Sequence, residues 1–339
     1  MRRGGEFAKT FPVVLAVLCL AACGGGRGKL VSIGGGLEGP SGTKATLYAS
    51  GLPLMSAFAF DARGRLWVTT SGATTHGTDG VFMVAAPGAR PVRVASIRGP
   101  LGLVWVGPRL IVSSLGKVTA FGGLTGTHFA TQKTIVDGPT PGGENNNVIL
   151  APGGRLMMGV SASCDHCIPA SRLSATIVSF RPDGSDLQVF ASRIRAAYGL
   201  AYYPGTSDLF ATMNQRDDLG ADTPGDWLAL VGKGQSWGFP SCYGQRTPAC
   251  RLFPSPVAVL DPHAAAGGVA ILDGAAIVSE WQLGKVQRVA LTRKGSGYTG
   301  VAKPYLTGLK NPLPLLTTAG GDLLVGDWQT GRIYRIAQS

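Results

Sequence analysis

Short apolar stretches alternate with glycine-centred turns through most of this chain, and one such pairing recurs six times. The copies read FDARGRLWVTTS from Phe60, VWVGPRLIVSS from Val104, LAPGGRLMMGVS from Leu150, YYPGTSDLFATMN from Tyr202, ILDGAAIVSEW from Ile271 and TTAGGDLLVGDW from Thr317. Each places a tight turn before a short strand. A second unit, an outer strand, a loop and an innermost strand, recurs as TLYASGLPLMSAFAF from Thr46, VASIRGPLGLVW from Val94, TIVDGPTPGGENNNVIL from Thr134, VFASRIRAAYGLAYY from Val189, AVLDPHAAAGGVAIL from Ala258 and YLTGLKNPLPLLT from Tyr305. A third strand recurs as GVFMVA, GKVTAF, ATIVSF, WLALV, GKVQRVAL and GRIYRI.

The turn glycines Gly64, Gly107, Gly154, Gly205, Gly274 and Gly320 are spaced by 43 to 69 residues, which suits propeller blades of several strands each. The same units could stack as an open solenoid, but closure into a ring removes exposed sheet edges. The pattern therefore predicts an all-β, six-bladed propeller of four-stranded antiparallel blades over residues 45–339. The outer strand near Thr46 to Ser50 precedes a complete inner strand, so it is expected to finish the blade that ends the chain at Ile336.

Composition agrees: 51 glycines and 22 prolines in 339 residues leave little room for long helices. The N-terminus reads differently. Arg2, Arg3 and Lys9 precede an apolar run from Phe11 to Ala22, a signal-peptide arrangement too short for a comfortable membrane span. Its end, Leu20-Ala21-Ala22-Cys23, resembles the lipobox of bacterial lipoproteins, which implies cleavage before Cys23 and lipidation of it. Residues 1–22 are thus read as signal peptide, and 23–44 as a lipidated cysteine with a glycine-rich tether. The expected location is the periplasmic or extracellular face of a bacterial membrane.

Export changes how the cysteines are read. In an oxidising compartment Cys164, Cys167, Cys242 and Cys250 form an even set and read as disulfides, most simply as the two local pairs. A zinc site is the alternative, since Cys-Asp-His-Cys has ligand spacing, but seven residues separate the second pair. The formal charge of +12 falls to about +10 without the signal. It suits an anionic ligand, an anionic membrane surface or solubility, and no basic run interleaved with aromatics points to nucleic acid.

In a propeller the loop from one blade's outer strand to the next blade's innermost strand approaches the central channel. Aligning the copies puts Arg98, Arg195, His263 and Lys310 at one such position, with Pro53 in the first copy, and predicts an anion site. The third copy carries a longer loop, Asp137 to Asn147, whose Glu144, Asn145, Asn146 and Asn147 are candidate ligand contacts. The fourth departs from the repeat with Asp217, Asp218 and Asp222 around Gly220, oxygen ligands of the kind calcium takes.

The run from RPDGSDLQVF through ASRIRAAYGLAYY and LFATMNQRDDLGADTPGDW to GQSWGFPSCYG resembles the glucose/sorbosone dehydrogenase family. These are pyrroloquinoline quinone (PQQ)-dependent sugar dehydrogenases on six-bladed propellers. The resemblance implies oxidation of a sugar hydroxyl with hydride passing to PQQ, calcium as a second cofactor and a further, unidentified electron acceptor. It makes Arg195, Arg98, Lys310, Asn145 and Asn146 candidate cofactor contacts. The family's Arg-Asn pair reads Arg195-Ala196, so the arginine carries over and the asparagine does not. The family's base is a histidine expected near Gly143 to Asn145, where no histidine stands; asparagine has no basic site to replace it. His263 is then the candidate substitute, while His166 lies inside the cysteine pair and His76 and His128 fall in blade loops. The alternative is a noncatalytic propeller binding a sugar or a protein partner on the same face. A calcium-dependent lactonase would need carboxylates where the aligned loop positions are cationic.

Overall fold

Strands that are apolar on both faces must be covered on both sides. The second strands of this chain are of that kind: Leu66–Thr70, Leu156–Val160 and Leu323–Asp327 are buried at every position. The computed structural model, which describes residues 29–72, 79–138, 144–244 and 247–338, resolves the requirement by stacking six four-stranded antiparallel sheets side by side.

Blade 1 comprises Met55–Phe60, Leu66–Thr70, Gly80–Val84 and Val92–Ala95; blade 2 comprises Pro100–Val106, Arg109–Ser114, Lys117–Thr125 and His128–Asp137. Blade 3 is Asn145–Leu150, Leu156–Val160, Thr176–Phe180 and Gln188–Ser192, and blade 4 is Ala196–Tyr202, Leu209–Asn214, Gly225–Val231 and Ala258–Pro262. Blade 5 is Ala266–Leu272, Ala275–Glu280, Lys285–Ala290 and Ala302–Leu306. Blade 6 takes Pro312–Thr317, Leu323–Asp327 and Arg332–Gln338 from the end of the chain and its outer strand, Thr43–Ala49, from the beginning. The expected closure is present, with Ile336 opposite Ala45.

Among the described residues the apolar core divides into six clusters, each filling the space between two neighbouring blades. The one that seals the ring packs Tyr48 and Ala49 with Met55, Phe58, Leu324 and Ile333. Near the axis the innermost strands approach too closely for side chains. A Cβ on Gly102 would lie 2.5 Å from the backbone nitrogen of Val148, and one on Gly199 would lie 2.5 Å from the carbonyl of Gly267. Hydroxyls bolt the same seams: Ser56 Oγ donates to the Pro100 carbonyl (2.6 Å), Ser113 Oγ to Asn146 (2.6 Å), Thr212 Oγ1 to Gly267 (2.7 Å) and Ser279 Oγ to Leu313 (2.9 Å).

Part of the stretch read as tether is ordered. Val31–Gly34 and Leu37–Gly39 pair as a hairpin, because Ile33 and Leu37 bury against blades 5 and 6. Backbone bonds between Glu38 and Thr307 fasten it to the outer strand of blade 5. The signal segment and Cys23 lie outside the described residues, among which no helix is long and apolar enough to cross a membrane. Helical structure there is confined to the 3-10 turns Gly220–Asp222 and Pro248–Leu252.

Candidate functional site

Loops that carry the chain from blade to blade leave backbone N–H groups without ladder partners. Carboxylates collect them. Asp79 accepts from Gly72 and Gly99 (both 2.7 Å). Asp226 accepts from Gln215 (2.7 Å), Ala266 (2.8 Å) and the Asn214 amide (3.1 Å). Asp327 accepts from Lys310 and Asn311 (3.0 and 3.1 Å). These caps fix the loops of Arg98, His263 and Lys310, and they do not aim all of the aligned cations inward. Arg195 and His263 line one cavity, whereas Arg98 and Lys310 are exposed outside its lining. The expected cationic ring is therefore reduced to one side, because the capped loops carry Arg98 and Lys310 away from the cavity while Arg195 is held at it by Asp165.

The cavity, of about 450 Å³, opens over blades 3, 4 and 5, within the ~300–1,000 Å³ common for ligand pockets. Its charge is mixed: Arg195 and Arg216 face Glu144, Asp165, Asp217 and Asp226. Arg195 pairs through Nη2 with Asp165, whose Oδ1 also accepts from the Asp217 backbone at 3.4 Å. The Arg195 Nε and the Thr223 hydroxyl, both in this wall, are buried with no hydrogen-bond partner. Two such orphans at one cavity are what a ligand's acceptor atoms would complete.

His263 is held at both ring nitrogens, Nδ1 against the Asp217 carboxylate and Nε2 at 3.0 Å from the Gly220 carbonyl. Both ring nitrogens are thus engaged by protein acceptors rather than left free to meet a substrate hydroxyl. That geometry counters the expected role of His263 as base.

Glu144 stands in the register where the base was expected and lines the cavity. Desolvation raises its pKa above the ordinary glutamate value, with Arg195 opposing the shift. Beneath it Tyr198, on the innermost strand of blade 4, donates from its hydroxyl to the Ser56 carbonyl of blade 1 at 3.2 Å. Blades 1 and 4 are opposite in a ring of six, so this bond spans the channel. Burial, then the Glu144 charge, pushes the Tyr198 phenol well above its usual pKa. Asp226 is also raised, to about 6, by burial, but its three donors mark it as a loop cap. In the sequence Glu144 is visible only as a loop contact, because the family pattern points to a histidine as base. Tyr198 carries no signal there beyond an aromatic residue on an inner strand.

Asn145 and Asn146 are buried and do not line the cavity. Asn145 donates to the Ser114 carbonyl (2.9 Å), and Asn146 to Ser161 Oγ (2.8 Å) and the Ala197 carbonyl (2.9 Å), so they tie blades 2, 3 and 4 together. The three aspartates proposed for calcium are not gathered. Asp217 turns to His263, Asp218 grips Arg216 with both oxygens (2.7 and 2.8 Å), and Asp222 sits exposed in a 3-10 turn. Among the described residues no group of three or more His, Cys, Asp or Glu side chains could hold a metal ion.

Both expected disulfides are present, Cys164 with Cys167 and Cys242 with Cys250, which removes the zinc alternative. The first holds the loop that presents Asp165 to Arg195. His166 lies edge-on to Tyr243, 6.3 Å between ring centres, and Arg216 stacks over the same tyrosine at 4.7 Å. His128 is an exposed residue of blade 2, and His76 lies outside the described residues.

No protein-family model and no curated protein matches the sequence. Solved structures do share its fold. A carbohydrate-active enzyme of family AA12 from Trichoderma reesei superposes with a TM-score of 0.77 at 17% identity, covering 92% of this chain and 100% of that one. The PQQ domain of pyranose dehydrogenase from Coprinopsis cinerea, in its holo form, gives 0.75 at 16% identity, with 92% and 98% covered. The PQQ-bound aldose sugar dehydrogenase of Streptomyces coelicolor gives 0.72 at 19% identity, with 88% and 99% covered. At these identities the likeness is one of fold.

Proposed function

We propose that this chain is an exported sugar dehydrogenase of the PQQ-dependent kind, oxidising a sugar hydroxyl in the cavity over blades 3, 4 and 5. The observation that carries the reading is the placing, in one cavity wall, of a buried guanidinium N–H without an acceptor and the carboxyl of Glu144. PQQ fits this donor set. Its carboxylate and quinone oxygens are acceptors of the kind that Arg195 Nε and the Thr223 hydroxyl lack. When bound it supplies the hydride acceptor. Calcium does not fit the described residues, and no role is assigned to it.

The chain's own residues divide the remaining work. Glu144, as carboxylate, takes the proton of the sugar hydroxyl as the carbon is oxidised. Arg195 fixes the orientation of anionic groups and offsets charge building on an oxygen beside it. Asp165 holds Arg195 in place through the ion pair, and the Cys164–Cys167 bridge holds Asp165. His263 and Asp217 line the same cavity, with the Asp217 backbone reaching Asp165.

A noncatalytic sugar-binding propeller is the second reading, favoured by the Asp165 carboxylate that already engages Arg195. Calorimetric titration with PQQ, with and without added calcium, followed by dye reduction over a panel of aldoses, separates the two. Saturable PQQ binding weakened on the order of 10- to 100-fold by Arg195→Ala, the range of a hydrogen bond to a charged group, and sugar-dependent reduction are expected. PQQ failing to bind would sink the dehydrogenase; binding without turnover would favour the second reading.

A further inference from the structure

A second hollow, of about 720 Å³, lies far from the cavity, between the N-terminal hairpin and the outer part of blade 5. Its wall combines Lys29, Arg288 and Lys303 with Leu30, Ala290, Val301 and Pro304, and no acidic residue lines it. Val301 is 70% exposed. Lys29 and Lys303 are exposed and Arg288 half-buried. Among the described residues no carboxylate lies within ion-pair distance of these three cations. The neighbouring hairpin Thr292–Lys294 and Gly297–Thr299 adds the exposed Lys294.

Chain length and strand register fix what this surface faces. Lys29 follows Cys23 by six positions, and an extended chain covers about 3.3–3.6 Å per residue, so whatever Cys23 or the preceding apolar run Phe11–Ala22 enters is within about 20 Å of the hollow. The strand register then sets the orientation. Ala290 pairs with Ala275 at one end of blade 5, and Lys285 pairs with Glu280 at the other. Glu280 in turn pairs with Ala266 beside the His263 loop. The hollow sits at the end of the blade away from the cavity.

We propose that this cationic, partly apolar face is the surface by which the protein lies on an anionic lipid bilayer, with the cavity turned outward to the solvent. The apolar rim enters the headgroup boundary while Lys29, Arg288 and Lys303 meet lipid phosphates; such surfaces bind through apolar burial and attraction to anionic lipid together. This orientation rests on the lipobox at Cys23 and on none of the sugar chemistry.

The test is sedimentation of the full chain with phosphatidylcholine vesicles and with vesicles containing added phosphatidylglycerol, at low and high salt. The unmodified protein should prefer the anionic vesicles, and less so at high salt. The triple variant Lys29→Glu, Arg288→Glu and Lys303→Glu should lose that preference on the order of 100-fold or more, since each basic residue contributes roughly 1 kcal/mol near such a surface. A control with the same charge change at exposed Arg63, Lys133 and Lys233 should keep it. If the half-buried Arg288 proves necessary for folding, Lys29→Glu with Lys303→Glu should still show most of the loss. Equal loss in the control, no anionic preference in the unmodified chain, or competition by dilute inorganic phosphate would each overturn the proposal. So would a self-association that the triple variant abolishes, which would assign the face to a second copy.

Discussion

Glu144 shows how its neighbours decide what a carboxylate can do. It and Asp226 line one cavity, yet Asp226 is buried and accepts three hydrogen bonds that orient loops, whereas Glu144 is exposed at the cavity beside Arg195, its carboxyl raised by the neighbouring protein that partly displaces water. A base must be ionised to accept a proton, so kcat/KM for a sugar should rise with pH through an apparent pKa above the ordinary glutamate value. Glu144→Gln should lower kcat/KM by roughly 10²–10⁴-fold, the usual range for a general base, and remove that limb. PQQ affinity, read separately by calorimetry, should change far less. A variant that kept both rate and pH profile would take the proton-transfer role from Glu144. His263→Gln serves as the contrast, and its pH profile should keep its shape because both ring nitrogens are already engaged.

Strands of one blade are held by their ladders, but blades hold one another through the inner-strand seams. There the glycines remove bulk and the Ser and Thr hydroxyls bond to the next blade's carbonyls. Gly199→Ala would set a methyl 2.5 Å from the Gly267 carbonyl and 2.7 Å from the Val269 nitrogen, both backbone atoms that cannot swing away. Overpacking of this kind costs about 1–3 kcal/mol, to be read as a fall in the denaturation midpoint at unchanged slope. The seam between blades 4 and 5 also carries the cap from Asp226 to Ala266, so the same variant should loosen ligand binding. A melt identical to that of the unmodified protein would mean that the seam yields more than its packing suggests.

Closing six blades into one ring makes stability a property of the whole molecule, and its pH dependence follows from the carboxylates buried in it. Asp226 is raised to about 6 by burial, and burial likewise raises Glu280, which is fully buried on blade 5. A carboxyl whose folded pKa exceeds its unfolded value contributes stability that is fully present below the unfolded pKa and fades as pH rises through the folded one. For Asp226 that window runs from about 4 to about 6, and a difference of that size between folded and unfolded chain corresponds to about 3 kcal/mol. Chemical denaturation across that range should show stability falling with rising pH. Asp226→Asn, which keeps an acceptor for only one side of the cap because Gln215 donates to Oδ1 and Ala266 to Oδ2, should lower stability at every pH and flatten the fall. A slope unaltered by the substitution would show that other groups set it.

The six-fold repeat, the closing strand at Thr46 and the two local cysteine pairs were legible in the chain because each is encoded over a few neighbouring residues. Turn glycines, apolar alternation and short cysteine spacing act locally, and copies reinforce one another. The site was legible only in part. Arg195 could be read from the aligned loops, since alignment brings equivalent residues to one end of the ring, while the expectation of a base near Gly143 to Asn145 came from the family resemblance and named a histidine that is not there. Which of Arg98, Arg195, His263 and Lys310 would meet could not be read, because a long side chain's direction depends on the cap beneath its loop. Those caps, Asp79, Asp226 and Asp327, reach their loop partners across 7 to 40 residues of sequence. The pairing of Arg195 with Asp165, the commitment of His263 to two acceptors and the Tyr198 bond across the channel were likewise decided by the closed ring, which brings together side chains that no local pattern links.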